Sequence, residues 1–274
     1  MDLPNIETYI SPTDLQAVEN WEQVWAWLAG GTWIFSKPEP DLKVLVDLEK
    51  LGWSEIEVMP EGLAIGATCT MASLRQWVCP ESWTSVKALH SAVDELASFK
   101  VTNKATVGGN LCLALSASTF APVMVALGAS YEILSPASPP RLVPALDFQT
   151  GAQQTILQPG EVLRRIWIPQ HSLEWQVSFK RICVATAGYA VSIVVGAYNP
   201  KTASVRYGVG ASVPAPRLME FAAVPTPTEI SSALDTQLPV DCFLDDERAS
   251  AAYRKHVTKV LMQRSLEELL CQNP

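Results

Sequence analysis

Two glycine pairs, Ala29-Gly30-Gly31-Thr32 and Ala105-Thr106-Val107-Gly108-Gly109-Asn110, decide how this sequence is interpreted. Paired glycines expose backbone N–H groups and tolerate positive φ, so a loop of this kind can wrap around an anion such as a pyrophosphate. Either pair taken by itself is more simply explained as a tight turn. Neither matches Gly-x-Gly-x-x-Gly or a Walker A loop, which argues against the Rossmann and P-loop nucleotide sites.

The composition of the chain excludes several classes of protein. Its 274 residues include 28 acidic and 20 basic side chains, which gives a formal net charge of −8. A nucleic-acid-binding surface is not expected, because neutralising phosphates requires clustered lysine and arginine. With 48% hydrophobic and 18% charged residues, the chain is too apolar to be disordered and is long enough for one large or two modest domains.

The cysteines predict no metal centre in this chain. Six cysteines occur without a Cys-x-x-Cys pair, and only three histidines accompany them. An iron–sulfur cluster or a structural zinc site built by this chain is therefore not expected. The N-terminal residues MDLPNIETYI lack a basic segment followed by an apolar one, so we expect a cytoplasmic protein with reduced thiols.

A stretch without any charged residue, 105–131, is long enough to span a bilayer. Glycines open it, and Pro122 lies near its middle. We therefore predict a glycine turn followed by a buried helix, with no membrane span. Because such a helix would have no charged face for solvent, a protein partner is one candidate to cover it.

The N-terminal half of the sequence alternates predicted strands and helices. A helix containing Trp21, Trp25 and Trp27 is predicted to end at Ala29. The pattern further predicts strands at 42–48, 63–65 and 131–134, helices at 70–78 and 86–100, and a turn-rich segment at 135–140. Thr68 or Thr70 is the expected cap of the helix at 70–78.

The C-terminal half has a different pattern, and 169–174 marks the boundary. Runs at 175–184, 187–198 and 204–211 predict an antiparallel sheet. Irregular segments are expected at 214–227 and 239–246, followed by a helix at 247–271. Strands and helices together indicate the α+β or α/β class.

The glycine pairs, taken with Ile65-Gly66-Ala67-Thr68 between them, resemble the flavin-binding subunit or domain of molybdenum hydroxylases. This is the medium-subunit family of xanthine dehydrogenase and carbon monoxide dehydrogenase. The resemblance covers nearly the whole chain and continues through Arg141–Pro144, Phe148, Leu157–Leu163, Ile168-Pro169, Phe179-Lys180 and Tyr253-Arg254.

This resemblance implies an α+β fold. It would comprise a two-part FAD-binding domain of the vanillyl-alcohol oxidase/peptidoglycan-reductase (PCMH) type at 1–170, with subdomains of about 1–60 and 61–170. A smaller C-terminal flavoprotein domain, with an antiparallel sheet and helices, would follow at 175–274.

The resemblance also implies which residues bind FAD. One segment would follow the pyrophosphate, and a second would form the opposite wall. Leu96 and Ala97 would line the adenine or ribose side, while Val162, Leu163 and Lys180 would approach the flavin from the far end. The two walls consist of Trp27, Leu28, Ala29, Gly30, Gly31, Thr32, Trp33 and Ile34, and of Thr106, Gly108, Gly109 and Asn110.

Two positions depart from the family pattern. Relatives often carry Arg-Asn where this chain has Thr102-Asn103, and an aspartate where it has Thr119. The missing carboxylate removes an acceptor for the ribityl chain, and a hydroxyl of Thr119 or Ser118 is the expected replacement. No catalytic acid, base or nucleophile is predicted near the glycine loops.

The function implied by the resemblance is electron transfer in a three-component oxidoreductase. A large partner would carry molybdopterin, a small partner would carry [2Fe–2S] clusters, and FAD in this chain would pass electrons to an acceptor such as NAD or oxygen. Two alternatives remain open at this point. One is a stand-alone FAD oxidoreductase, and the other is a degenerate flavin-fold scaffold that only stabilises partners.

Overall fold

The computed structural model describes residues 3–18, 21–37, 39–96, 99–185 and 188–271. Its strands are β1 Thr8–Ile10, β2 Trp25–Leu28, β3 Val44–Asp47, β4 Ile56–Met59, β5 Gly62–Gly66, β6 Ser130–Ser135, β7 Ser138–Pro144, β8 Gln149–Gly151, β9 Gln154–Thr155, β10 Val162–Pro169, β11 Gln176–Cys183, β12 Ala190–Tyr198, β13 Val205–Gly210 and β14 Arg217–Phe221. Its α-helices are α1 Met71–Gln76, α2 Val86–Asp94, α3 Phe99–Thr102, α4 Val107–Leu113, α5 Phe120–Ala126, α6 Ala145–Phe148, α7 Gln170–Leu173, α8 Pro227–Gln237 and α9 Ala251–Cys271.

A small parallel sheet, ordered β1-β3-β2, forms the N-terminal part of the fold. The predicted strand at 42–48 is confirmed as β3, but the predicted tryptophan-rich helix is wrong because Trp25–Leu28 is strand β2. Trp25 and Trp27 are two residues apart, so they lie on one side of the strand. There they pack against Trp21, with ring centroids 5.7 and 4.3 Å away.

An antiparallel sheet ordered β4-β5-β10-β6-β7 forms the second part. The predicted strands at 63–65 and 131–134 are confirmed within β5 and β6. The prediction of a turn through residue 140 is wrong in part, since β7 begins at Ser138 and contains Pro139 and Pro140. Prolines are tolerated there because β7 is an edge strand that needs fewer backbone donors.

The helices beside this sheet start largely where the sequence predicts. Thr70 caps α1 by accepting a hydrogen bond from the Ser73 N–H. The predicted helix at 86–100 is shorter, because α2 ends at Asp94 and α3 begins at Phe99. The Leu96 N–H donates to the Val93 carbonyl, a tight i→i−3 bond that closes the chain into a turn.

The C-terminal part contains an antiparallel sheet ordered β11-β12-β13-β14. The three predicted strands are confirmed. The segment expected to be irregular at 214–227 contains a fourth strand, β14, which pairs with β13. Helix α9 packs against β11 and β12 and begins at Ala251, four residues after the predicted start at Glu247.

Helix α5, which lies in the charge-free stretch, is completely buried by this chain itself. All seven of its residues are buried. It packs against β12, β13 and β14, so no protein partner is needed to cover it. Among the described residues, none of the helices combines the length and the apolar character that crossing a membrane requires.

Candidate functional site

A cleft of about 670 Å³ lies between the two glycine loops. One wall is the loop that follows β2, and the other is the segment that enters α4. The start of β10 and the turn after α2 complete it. The predicted residues that line this cleft are Trp27, Leu28, Ala29, Gly30, Gly31, Thr32, Trp33, Ile34, Leu96, Thr106, Gly108, Gly109, Asn110, Val162 and Leu163.

The first loop needs both of its glycines. A Cβ added at Gly30 would lie 1.8 Å from the backbone oxygen of Lys104, so only glycine permits this close approach. Gly31 has a φ of 69°, a left-handed conformation that side chains disfavour. These two constraints shape the loop against the opposite wall.

The first loop also presents unused backbone donors. Within the described part of the chain, the N–H groups of residues 30–34 have no hydrogen-bond acceptor. The next backbone N–H, that of Phe35, donates to the Gly31 carbonyl at 3.1 Å. A run of free N–H groups beside a cleft is a favourable environment for an anion.

The backbone N–H groups of the second loop already have acceptors within the protein. The Gly108 N–H donates to the Ala67 carbonyl, and the Gly109 N–H donates to Thr106 Oγ1, both at 3.0 Å. The Val107 N–H donates to the Cys69 carbonyl at 3.0 Å. The N–H groups of the second glycine pair are therefore already bonded, and the free N–H groups beside the cleft belong to residues 30–34.

Two predicted site residues, Thr119 and Lys180, do not line the cleft, and a third, Ala97, lies outside the described residues. Thr119 is 3% exposed, and its hydroxyl donates to the Ala92 carbonyl at 2.8 Å. The expectation that Thr119 supplies a hydroxyl to the ligand is wrong, because that hydroxyl ties α5 to α2.

Lys180 is the second, and its predicted place beside the flavin is wrong. It lies on β11, and its ammonium group pairs with the carboxylate of Glu268 on α9. Ser178 donates to the same carboxylate at 2.8 Å. The alternation of side chains along β11 directs Lys180 toward α9.

Several lining residues are not predicted from the sequence. Tyr189 is the one that lies furthest along the chain. It is 54% exposed, and the Arg248 guanidinium lies 5.5 Å from its ring centroid. Arg181 donates to the neighbouring Gly188 carbonyl at 2.6 Å. No local signal marks Tyr189, because the C-terminal part reaches the cleft only through the folded topology.

Glu161 was also missed as a lining residue, although its segment belongs to the family resemblance. Its two carboxylate oxygens accept from Arg141 Nε and Nη2 at 2.8 and 2.7 Å. This bidentate bond to Arg141 holds the pKa of Glu161 below its ordinary value. The Glu161 carbonyl accepts from Trp27 Nε1 at 3.0 Å, which joins the first glycine loop's strand to β10.

The cleft is mainly apolar, and the charged side chains that line it are acidic. Among the described residues that line it, the charged ones are Glu39, Asp41 and Glu161, and none is lysine or arginine. Cys112 also lines the cleft, and burial raises the pKa of its thiol to about 12. That thiol stays protonated, so it adds no negative charge.

The arrangement fits FAD. The cleft falls within the usual range for ligand sites, about 300–1,000 Å³. The free N–H groups of residues 30–34 suit its diphosphate. A Cβ at Gly30 would collide with the backbone of Lys104, and a Cβ at Gly31 would collide with the ring of Phe35. In the part of the chain that the structure describes, no three His, Cys, Asp or Glu side chains are grouped as a metal site would require.

Comparisons with known proteins identify the family of this chain. Residues 5–171 match the family model described as the FAD binding domain in molybdopterin dehydrogenase. The chain is 29% identical over 175 residues to xanthine dehydrogenase of Oryza sativa subsp. japonica, covering 58% of this chain but 13% of that protein. It therefore spans only a small part of such relatives.

Other similar proteins are matched over nearly their whole length. The glyceraldehyde dehydrogenase medium chain of Sulfolobus acidocaldarius is 26% identical over 264 residues, which cover 88% of this chain and 89% of that one. Quinoline 2-oxidoreductase from Pseudomonas putida 86 shares the fold, with a TM-score of 0.80, 24% identity and 98% of each chain covered. The predicted family and the α+β flavoprotein fold are confirmed, and the chain belongs to the FAD-binding domain family of molybdopterin dehydrogenases.

Proposed function

We propose that this chain binds FAD in the cleft and is the electron-transfer subunit of a cytoplasmic, multi-subunit molybdenum hydroxylase. The observation that carries the proposal is the run of free N–H groups at residues 30–34, opposite the wall formed by residues 105–110. A large molybdopterin subunit and a small [2Fe–2S] subunit are the proposed partners, and NAD or oxygen is the proposed acceptor.

The first loop would hold the diphosphate. Its backbone donors at residues 30–34 carry partial positive charge and need not move to accept an anion. Because the described lining has no lysine or arginine, these dipoles replace the cation that many phosphate sites use. Gly31 keeps the loop in the left-handed turn that the run of donors requires.

The apolar lining would hold the rest of the cofactor and exclude water from it. Leu157 lies between β9 and β10, Val162 and Leu163 begin β10, and Leu96 comes from the turn after α2. Apolar side chains of this kind cover an aromatic ring system without fixing a charge on it. When bound, FAD supplies a carrier that takes up one or two electrons.

The proposal that this chain is one subunit of a larger assembly is supported by a separate observation. The Sulfolobus relative, aligned over most of both chains, is named a medium chain. We assign the same place to this protein, with electrons arriving singly from the clusters of the small partner and leaving as a pair to the acceptor. The substrate is then chosen by the large partner.

The test is to purify the tagged full chain from its own cells and to measure flavin, molybdenum, iron and acid-labile sulfide on the same sample. We expect about one FAD per chain, with molybdenum and iron present in a complex larger than this chain. Titration of the isolated chain with FAD should also quench flavin fluorescence.

Three outcomes separate the possible functions. A chain that takes up no FAD, isolated or in the complex, contradicts the proposal and favours the scaffold alternative. Turnover of a substrate by the isolated chain favours the stand-alone oxidoreductase. FAD bound in a complex with molybdenum and iron, without turnover by the isolated chain, is the result that the proposal requires.

A further inference from the structure

Behind the cleft-lining Asn110 lies a serine that is almost completely buried. Ser118 is 2% exposed and does not line the cleft, whereas Asn110 does. The Ser118 hydroxyl donates to Asn110 Oδ1 at 2.6 Å. Helix α4 ends at Leu113, and the φ of 50° at the next residue, Ala114, turns the chain back, so that Ser118 reaches Asn110.

The direction of this hydrogen bond is determined by a third group. The Ala121 N–H donates to Ser118 Oγ at 3.2 Å, so the serine oxygen already acts as an acceptor. Its hydroxyl hydrogen needs an acceptor of its own, and Asn110 Oδ1 supplies one. If the Asn110 amide were reversed, its N–H₂ could donate to the second lone pair of the serine oxygen, but the buried hydroxyl hydrogen would lose its acceptor.

The consequence is that the other end of the Asn110 amide is directed away from Ser118. Asn110 Nδ2 donates to none of the described residues. A half-buried amide N–H₂ at a cleft wall favours an acceptor atom of a ligand, such as a phosphate, carbonyl or ring-nitrogen lone pair.

We infer that Ser118 is a positioning residue that fixes Asn110 as a hydrogen-bond donor to the cofactor. This inference rests on the proposed function, because it needs FAD in the cleft. Ser118 contributes through Asn110 and does not touch the ligand itself. It also gives a role to the hydroxyl beside Thr119, the position where the family pattern has a carboxylate.

The test is a double-mutant cycle on the full chain, with FAD affinity measured by fluorescence titration. We expect Ser118→Ala to weaken FAD binding about 3- to 10-fold, the range of one hydrogen bond. Asn110→Ala should weaken it at least as much. Adding Ser118→Ala to Asn110→Ala should change the affinity less than about twofold, because the group that Ser118 positions is already gone.

Two further variants make the result specific. Ser118→Cys keeps a weaker donor of similar size and should give an intermediate loss. Ser116→Ala is the matched control, because Ser116 belongs to the same segment, donates to the Pro214 carbonyl at 3.1 Å and does not line the cleft. It should leave FAD affinity unchanged. Thermal unfolding of each apo variant reports folding separately.

The outcomes distinguish the inference from the proposed function. If the wild-type chain binds no FAD, the proposed function fails and the inference fails with it. If wild type binds FAD but Ser118→Ala has no effect, or adds its full effect to Asn110→Ala, only the inference is overturned. If Ser118→Ala does not fold, an unchanged affinity in Ser118→Cys overturns it.

Discussion

At Gly31 the backbone has a φ of 69°, and an added Cβ would lie 2.7 Å from the ring of Phe35. We expect Gly31→Ala to lower the free energy of unfolding by about 1–2 kcal/mol through backbone strain. It should also weaken FAD binding, because the strain displaces the loop that presents the free N–H groups. Urea unfolding and FAD titration measure the two effects.

Gly52 provides a matched control for that prediction. Its φ is 71°, nearly the same, but nothing lies within 4 Å of an added Cβ, and it does not line the cleft. Gly52→Ala should cost a similar free energy of unfolding and leave FAD affinity unchanged. Equal losses of FAD affinity in both variants would show that the effect is general destabilisation.

Glu161 carries the second prediction at this scale. It is 9% exposed and bonded in two places to Arg141. We expect Glu161→Gln to lower the free energy of unfolding at neutral pH by about 1–2 kcal/mol, because a charge-assisted bidentate bond is lost. The variant should also bind FAD more weakly, because losing the bond to Arg141 loosens the backbone whose carbonyl accepts from Trp27 Nε1.

The pH dependence of this effect has a defined sign. The bond to Arg141 lowers the pKa of Glu161 in the folded chain, so its stabilisation is present above the ordinary carboxyl pKa. It is lost as the pH falls through the lower folded value. Wild type and Glu161→Gln should therefore differ at pH 7 and converge as the pH falls through the lowered folded pKa of Glu161.

The control for Glu161→Gln is Glu220→Gln. Glu220 pairs with Arg206 Nε at 2.7 Å, but its side chain is 54% exposed. Such a solvated pair contributes about 0–1 kcal/mol, so a smaller loss is expected. A Glu161 variant as stable as wild type at pH 7 would contradict the prediction.

The glycine loops could be predicted from the sequence. Residues whose position depends on long-range topology could not. The residues of both loops were identified because glycine pairs leave a local pattern, and the structure places them around one cleft. Lys180 was misplaced because its partner, Glu268, lies 88 residues away along the chain (268 − 180), on α9. Tyr189 was missed for the same reason.

At the scale of elements, the neighbouring strand determines the secondary structure of a segment more than its local sequence pattern does. The tryptophans of β2 occur at spacings that also fit a helix, but parallel pairing with β3 fixes them as a strand. Strand β14 is flanked by prolines and lacks a long apolar run, yet its register with β13 runs from Arg217 to Phe221. Neither partner is visible from the local sequence.

The packing of α5 on β13 gives a prediction at this scale. A Cβ at Gly208 would lie 1.9 Å from the Pro122 backbone oxygen. Helix and strand therefore touch through their backbones. We expect Gly208→Ala to lower the free energy of unfolding by about 3 kcal/mol or more, because overpacking here moves a backbone and not a side chain.

Gly151→Ala is the comparison for Gly208→Ala. A Cβ at Gly151 would lie 2.7 Å from Gln154 Oε1, the end of a flexible side chain that can move away. A loss below about 1 kcal/mol is therefore expected in urea unfolding. Similar losses at the two sites would mean that α5 adjusts its position more easily than its burial indicates.

At the scale of the whole molecule, the two halves share one core. The largest cluster of buried residues contains Phe120 and Val123 of α5 together with Ile193 and Val195 of β12. The family match ends at residue 171, but the apolar contacts do not end there. The charge-free stretch thus reflects a helix enclosed between the FAD-binding part and its own C-terminal sheet.

The net charge of −8 bears on the cleft as well. FAD brings two negative charges to a site whose described lining carries Glu39, Asp41 and the Arg141-paired Glu161, without any lysine or arginine. Salt shortens the range of this repulsion from about 30 Å at 0.01 M to about 8 Å at 0.15 M. FAD affinity should therefore rise modestly with ionic strength, opposite to the behaviour of a site built from lysine and arginine.

Asp41→Asn tests the origin of that salt dependence. It removes an exposed carboxylate at the cleft, so it should raise FAD affinity about twofold at low salt and have little effect at high salt. Asp147→Asn changes the net charge equally at an exposed position that does not line the cleft, and it should have a smaller effect. Titrations of the three proteins at both salt concentrations measure this. An FAD affinity that falls as salt is added would mean that a cation holds the diphosphate, and the assignment of that role to the backbone of residues 30–34 would be wrong.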